Sequence, residues 1–144
     1  MSPPALACFV VAQDAVLAQV EAELSAGHKR THWMWFVFPQ IAGLGHSPMA
    51  RSYAIADLDE ARRYLADLVL GARLRRHVEM LLAHRGRPVR EIFGEPDDMK
   101  FRSCLTLFRA AAEDEATMAL LDAALDAFFG GEADPLTRKM LDRT

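Results

Sequence analysis

Apolar residues recur at helical spacing along most of this 144-residue chain. The first apolar stripe consists of Val16, Leu17, Val20 and Leu24. Intervals of four place such residues on one face of a helix, so the stripe predicts an amphipathic helix. We expect Gln13 or Asp14 to cap its start and Gly27 to end it, as glycine commonly does just past a helix.

Three further stripes predict three more long helices. They consist of Leu70, Leu74, Val78 and Leu81, of Phe101, Cys104, Leu105 and Phe108, and of Met118, Leu121, Leu125 and Phe128. Other helix starts are marked by Ser47 before Pro48, Asp57 before Glu60, Asp97 or Asp98, and Asp134 before Pro135. A short helix is also expected between Pro88 and Phe93.

The segment Trp33–Phe38 reads WMWFVF and is apolar on all sides. It therefore belongs in the core, as either a strand or a buried helical turn, which periodicity alone does not separate. Its aromatic residues favour a strand. Because the chain offers no second strong strand to pair with it, we predict a helix that ends at Pro39.

Together these patterns predict an all-α fold, a single compact domain of about seven to nine helices that spans residues 1–144. We expect residues 1–5 to be flexible. Apolar residues make up 51% of the chain, which is enough to build a core in a domain of this length.

Composition and charge exclude several classes of protein. The net charge of −3 gives no global attraction to nucleic acids or to anionic membranes. No apolar run is long enough to span a membrane, and the N-terminus lacks the pattern of a signal peptide. Cys8 and Cys104 both lie in apolar runs, where a thiol acts as a small hydrophobe. We therefore expect a cytoplasmic protein, a monomer rather than an oligomer, that requires no disulfide.

Charge is unevenly spread along the chain. Basic and histidine residues crowd the stretch from Arg73 to Arg90, which only Glu79 interrupts, and the sign reverses between Glu113 and Asp126. We interpret the two stretches as solvated helix faces that attract each other. Alternatively, the Arg73–Arg90 face binds a protein or a nucleic acid. Nucleic-acid modules usually interleave exposed aromatic residues, which are absent here, so we expect no nucleic-acid partner.

The string HWMWFVFPQ at residues 32–40 is specific enough to compare with known families. Further matching positions are Gly43, Leu44, Gly45, Ser47, Tyr53, Ala54, Ile55, Glu60, Ala61, Tyr64, Leu65, Asp98, Lys100, Ser103, Thr106, Leu107 and Phe108. From about Leu6 to Leu141, the chain resembles the family called domain of unknown function 1810.

The resemblance implies a small, mainly α-helical domain, found in bacteria and some fungi, with no established activity. Some members of the family carry the label calpastatin, an inhibitor of a calcium-dependent protease. Inhibitory segments of that kind are disordered and polar, whereas this chain is apolar enough to fold, so nothing in it supports the label.

The loop from Gly43 to Ser47 is the first candidate binding site. Gly43 and Gly45 give the backbone freedom, and the loop leads into the helix start at Ser47, where N–H groups and the helix dipole attract an anion. His46 offers a proton or a hydrogen bond. The alternative is a plain loop in which the glycines only make turns and Ser47 only caps the helix.

The aromatic segment and its polar flanks are the second candidate. Trp33 and Trp35 are suited to line a pocket for a planar ligand, with His32 and Gln40 as the polar groups at its ends. The alternative is a core segment in which His32 and Gln40 bind neighbouring backbone groups.

The third candidate is the predicted helix that follows Asp98. Lys100 would contact an anion, and Ser103 and Thr106, three residues apart on one face, would hydrogen-bond in a pocket. The alternative is that both hydroxyls bond to the preceding turn of their own helix.

The three candidates together predict that the protein binds an anionic small molecule, such as a nucleotide or a phosphorylated metabolite. Alternatively, a hydrolase or transferase uses His32 or His46 as the acid–base group in the same pocket, since histidine titrates near neutral pH. The motifs HExxH, CxxC and GxSxG, the P-loop and the complete dinucleotide fingerprint are absent from the sequence. We therefore expect neither a metal nor a cofactor.

Overall fold

Helices make up most of the protein, for which a computed structural model describes residues 4–143. Nine lie in this range: α1 (Pro4–Ala26), α2 (Met34–Val37), α3 (Pro48–Ser52), α4 (Leu58–Ala66), α5 (Leu70–Leu82), α6 (Val89–Phe93), α7 (Asp97–Ala111), α8 (Glu115–Phe129) and α9 (Pro135–Asp142). No strand occurs between residues 4 and 143, so the predicted all-α fold is confirmed. Of residues 1–5, which we expect to be flexible, residues 1–3 lie outside the described range, as does residue 144.

Helix α1 begins well before its predicted start, at Pro4. The prediction that Gln13 or Asp14 caps it is therefore wrong. Gln13 is only 1% exposed, and its Nε2 donates to the Phe36 carbonyl at 2.7 Å and to the Tyr64 hydroxyl at 3.1 Å. Its side chain thus joins α1 to α2 and α4, because a buried amide must find partners wherever they lie.

Most of the other predicted helix boundaries are confirmed by local contacts. The side chains of Ser47, Asp57 and Asp134 each accept from the backbone N–H three residues later, at 3.1, 2.8 and 3.0 Å. Gly27 follows α1 with a φ of +70°, a conformation that glycine adopts without strain.

The start of α7 differs from the prediction that Asp97 or Asp98 caps it. Pro96 is the residue before the helix, and both carboxylates lie in the first turn, where the helix dipole favours negative charge. Asp97 forms an ion pair with Lys29 at 2.8 Å, and Oδ1 of Asp98 accepts from the Met99 N–H at 2.8 Å.

The segment Trp33–Phe38 runs through the core, and its predicted helical conformation is confirmed. The Phe38 N–H donates to the Met34 carbonyl at 3.1 Å, which closes the single turn of α2. Phe38 is fully buried, and its ring packs edge-on against Phe93 and Phe101, with centroids 6.0 and 5.0 Å away.

Helix α7 lies at the centre of the core and packs against α4, α6, α8 and α9. Cys104 on this helix is fully buried, as expected for a thiol in an apolar run, whereas Cys8 is on the exposed side of α1. Within the described part of the chain, no helix combines the length and the apolar content needed to cross a membrane.

Candidate functional site

The loop after α2 is held against the segment that follows α3. The Ala42 N–H donates to the Ile55 carbonyl at 2.8 Å, and the Ile55 N–H donates to the Gln40 carbonyl at 2.9 Å. These bonds form a parallel bridge between Ile41 and Ile55, and both isoleucines are buried. The bridge fixes the start of the loop and leaves a cleft of about 130 Å³ between the loop and α3.

Several of the predicted binding residues line this cleft, namely Trp35, Gln40, Gly43 and Gly45. A Cβ at Gly43, whose φ is +100°, would collide with the side chain of Met140 on α9. A Cβ at Gly45 would collide in the same way with Ala50 on α3. The two glycines therefore allow α9 and α3 to approach the loop closely, in addition to making its turns.

The side chains around the cleft carry hydrogen-bond donors that the protein leaves unused. Trp35, Gln40, Arg51 and Tyr53 all line the cleft. None of these four side chains makes a hydrogen bond or an ion pair with any residue between 4 and 143. A ligand with several acceptor oxygens is the kind of molecule that such a set of donors would satisfy.

The ammonium group of Lys100 lies over the ring of Trp35, although Lys100 itself does not line the cleft. The Lys100 Nζ is 5.7 Å from the Trp35 ring centroid and 3.6 Å from Oδ1 of Asp97. The first turn of α7 therefore brings a cation to the face of Trp35, and the contact of Lys100 with an anion stays a prediction.

The sequence patterns did not identify Arg51 or Tyr53 as cleft residues. Arg51 is four residues after Ser47, but Ser47 does not line the cleft, so this spacing does not indicate the position of Arg51. Tyr53 matched the family pattern but received no role. Its ring lies 5.3 Å from that of Phe36, which anchors this end of the cleft to the core.

Ser47, His32 and His46 are all exposed and do not line the cleft. The Ser47 hydroxyl accepts from the Ala50 N–H at 3.1 Å, which is a capping contact, and α3 has only five residues. An acid–base role for His32 or His46 stays a prediction. In the described range, no group of three or more His, Cys, Asp or Glu side chains is placed to hold a metal ion.

Trp33 lies in the core, away from the cleft, and is 1% exposed. Its indole N–H donates to Oε1 of Glu23 at 3.0 Å, and the Lys29 ammonium lies 5.0 Å from its ring centroid. Trp33 therefore joins the start of α2 to the end of α1. It is a core residue, as the alternative interpretation of the aromatic segment predicts.

Glu23 is the acceptor for most of the donors in the turn between α1 and α2. The carboxylate receives hydrogen bonds from the backbone N–H groups of Arg30 and Thr31, at 2.7 and 3.0 Å, and from the side chains of Thr31 and Gln19. Burial alone would raise the pKa of Glu23, but these hydrogen bonds outweigh it and lower the pKa to about 2. The carboxylate therefore stays charged at neutral pH although it is buried.

Ser103 and Thr106 lie where α7 meets the start of α9, and the cleft does not include them. Both hydroxyls donate to carbonyls of the preceding turn, those of Met99 and Arg102, at 3.1 and 2.8 Å. Ser103 also bonds to the Asp134 carboxylate, and the Thr106 hydroxyl accepts from the Asp134 N–H at 2.8 Å. The two residues thus attach α9 to α7.

Two of the arginines of the Arg73–Arg90 stretch have acidic partners on α1. Arg73 pairs with Asp14 at 2.6 Å and Arg76 with Glu21 at 3.0 Å. Both acidic partners belong to α1. The sequence had instead suggested attraction between the basic stretch and the acidic stretch from residue 113 to residue 126. Because α1 already neutralises these arginines, the stretch offers less positive charge to a partner than its sequence indicates.

Comparisons with known proteins give one family match and one similar solved structure. Residues 3–141 match a family described as "Protein of unknown function (DUF1810)". The fold is similar to the crystal structure of the conserved hypothetical protein Rv1873 from Mycobacterium tuberculosis, with a TM-score of 0.91. The two chains are 45% identical over 96% of this chain and 97% of that chain. No curated protein matches the chain.

Proposed function

Because the chain belongs to the DUF1810 family, whose function is unknown, we propose a function from the cleft itself: the protein binds a small anionic molecule between Trp35 and Arg51. A phosphorylated metabolite or the phosphate end of a nucleotide fits this class. The proposal keeps the cytoplasmic location expected from the sequence.

The observation that carries the proposal is the set of unused donors on the cleft wall. Trp35, Gln40 and Arg51 all line the cleft, and their indole, amide and guanidinium groups bind no acceptor among residues 4–143. Phosphate and carboxylate oxygens are acceptors only, so one such group can engage several of these donors at once. Arg51 and the nearby Lys100 supply the positive charge that makes those hydrogen bonds strong.

The volume of the cleft limits how much of the ligand it can enclose. Its value of about 130 Å³ lies below the roughly 300–1,000 Å³ of most small-molecule sites. We therefore expect the anionic group to occupy the cleft and any larger body to extend outside it, along the exposed part of Trp35.

Thermal unfolding in the presence of anions tests the proposal. We expect inorganic phosphate, adenosine monophosphate or adenosine triphosphate at millimolar concentration to raise the melting temperature, because a ligand that binds only the folded state stabilises it. Arg51→Ala should abolish this shift. Arg30→Ala is the matched control, since Arg30 is also exposed but does not line the cleft.

Tryptophan fluorescence gives a second readout at the same site. Because Trp35 lines the cleft and Trp33 is buried elsewhere, an anion that binds as proposed changes the emission of Trp35 alone. The change should disappear in Trp35→Phe. The absence of any thermal shift or fluorescence change across the three anions would overturn the proposal, as would equal shifts in wild type and Arg51→Ala.

A further inference from the structure

A second and larger cavity lies on another side of the molecule, where α7 and α8 meet the segment that leads into α9. Its volume is about 370 Å³, which falls within the roughly 300–1,000 Å³ of typical small-molecule sites. Its wall includes Arg109 and Asp122, Leu125, Ala133 and Arg138, none of which lines the cleft at Trp35.

The charged side chains of this cavity are not fully paired. Nε of Arg109 donates to Oδ1 of Asp122 at 2.7 Å, so these two charges neutralise each other. Arg138 forms neither an ion pair nor a side-chain hydrogen bond within the described 140-residue stretch from 4 to 143. Arg138 is exposed, and its guanidinium is therefore free to bind the carboxylate of a ligand in the cavity.

The backbone that carries Arg138 is held in place by buried hydrogen bonds. Asp134, at the start of α9, accepts from the Thr137 N–H at 3.0 Å and from the Thr137 hydroxyl at 2.6 Å. The Asp134 N–H in turn donates to the Thr106 hydroxyl of α7 at 2.8 Å. Arg138 directly follows Thr137 in this anchored first turn of α9, so only its own side chain needs ordering when a ligand binds.

The cavity also offers an apolar surface beside the free guanidinium. Leu125 on its wall is 5% exposed and belongs to the core, and Ala133 is half-buried. A ligand that places a short hydrocarbon chain against these residues removes apolar surface from water. Phosphate ions have no such chain, so they gain nothing from this apolar surface.

We propose that this cavity is a second binding site, specific for a small monocarboxylate with a short aliphatic chain. The two carboxylate oxygens bind the planar guanidinium of Arg138 side by side, a geometry that arginine provides and lysine does not. The hydrocarbon chain packs against Leu125. This site does not depend on the proposed function of the cleft at Trp35, and each can fail without the other.

Nuclear magnetic resonance titration of the full ¹⁵N-labelled chain with sodium butanoate tests the proposal. We expect saturable shifts of the Gly131 and Ala133 amide signals at millimolar concentration, with no matching shifts of Gly43 or Gly45. Arg138→Ala should weaken binding about tenfold or more, the loss of one charge-assisted contact. Arg143→Ala is the matched control, because Arg143 is an exposed arginine just beyond the same helix that does not line the cavity.

Two further probes separate the carboxylate from other ligands. Butanamide keeps the shape of butanoate without its charge, and inorganic phosphate keeps charge without the chain; we expect neither to shift the Gly131 and Ala133 signals. Arg138→Lys keeps the positive charge but loses the planar pair of N–H donors of the guanidinium, so it should bind butanoate more weakly than wild type. The proposal is overturned if butanoate causes no saturable shift of the Gly131 and Ala133 signals or if Arg138→Ala binds butanoate normally. It is also overturned if phosphate shifts these two signals as strongly as butanoate does.

Discussion

The indole N–H of Trp33 donates to the carboxylate of Glu23 across 3.0 Å, and both side chains are buried. The same carboxylate accepts from the backbone N–H groups of Arg30 and Thr31, so one side chain fixes the whole turn between α1 and α2. Because α2 carries Trp35, the turn also determines where the wall of the cleft lies.

We predict that Glu23 makes the protein sensitive to acid. Its pKa of about 2 in the folded protein is below its ordinary value of 4.5. A lowered carboxyl pKa stabilises the fold fully above the ordinary value, and the contribution is lost as the pH falls through about 2. The shift corresponds to roughly 3 kcal/mol of unfolding free energy. Urea unfolding at a series of pH values from neutral to about 2 measures the loss.

Glu23→Gln should remove most of this pH dependence, because the amide does not titrate. Glu79→Gln is the control, since Glu79 is exposed and forms no ion pair within residues 4–143. If Glu23→Gln and the wild type lose stability in parallel as the pH falls, the dependence arises from another group.

Replacing each tryptophan in turn distinguishes the core from the cleft. Trp33→Ala removes an indole that is 1% exposed and one of the donors to Glu23, so it should cost roughly 3–5 kcal/mol. Trp35 is partly exposed and its indole binds no acceptor in the described structure, so Trp35→Ala should cost only roughly 1–2 kcal/mol. Urea unfolding at neutral pH measures both losses, and equal losses would place Trp35 in the core.

Gly43→Ala should lower the free energy of unfolding by roughly 1–3 kcal/mol. The φ of +100° strains any residue with a Cβ, and the added methyl meets the Met140 side chain. Gly86→Ala isolates the first effect, because Gly86 has a φ of +97° with no atom near its Cβ position. Thermal unfolding of both variants checks the prediction, which fails if Gly43→Ala is no more harmful than Gly86→Ala.

Thr106→Val tests whether the Thr106 hydroxyl serves the fold. The substitution preserves shape but removes the bonds to the Arg102 carbonyl and from the Asp134 N–H, both at 2.8 Å. Leaving the buried N–H unpaired should cost roughly 1–3 kcal/mol, measured by urea unfolding. Unchanged stability would show that the hydroxyl is available for another role.

Local sequence signals were enough to predict most of the helices. A cap such as Ser47 or Asp57 interacts with a backbone group three residues away, so its sequence neighbourhood contains the whole interaction. Gln13 resembles a helix cap in the sequence because its actual partners, Phe36 and Tyr64, lie far along the chain. In the sequence alone, a polar side chain that hydrogen-bonds to distant segments cannot be distinguished from one that caps a helix.

The candidate site was harder to predict because it depends on how distant segments meet. Gln40 and Gly43 were identified because they lie in the same loop as the conspicuous aromatic string. Ser103 and Thr106 were grouped with them by chemistry, but they lie in the middle of α7 and bond to Asp134 at the start of α9. Arg51 was overlooked because no sequence pattern shows that α3 folds back over the loop.

The final helix touches both cavities, and this restricts how the protein can be shortened. Arg138 lines the larger cavity, while Met140, two residues later, rests against the backbone of Gly43 in the smaller one. A chain truncated before Pro135 would lose Arg138 from the wall of the larger cavity and the Met140 contact with Gly43 beside the smaller one, together with the Thr137 contact that anchors the helix. Shortened versions therefore cannot serve to study either binding region separately, and point substitutions are the appropriate tools.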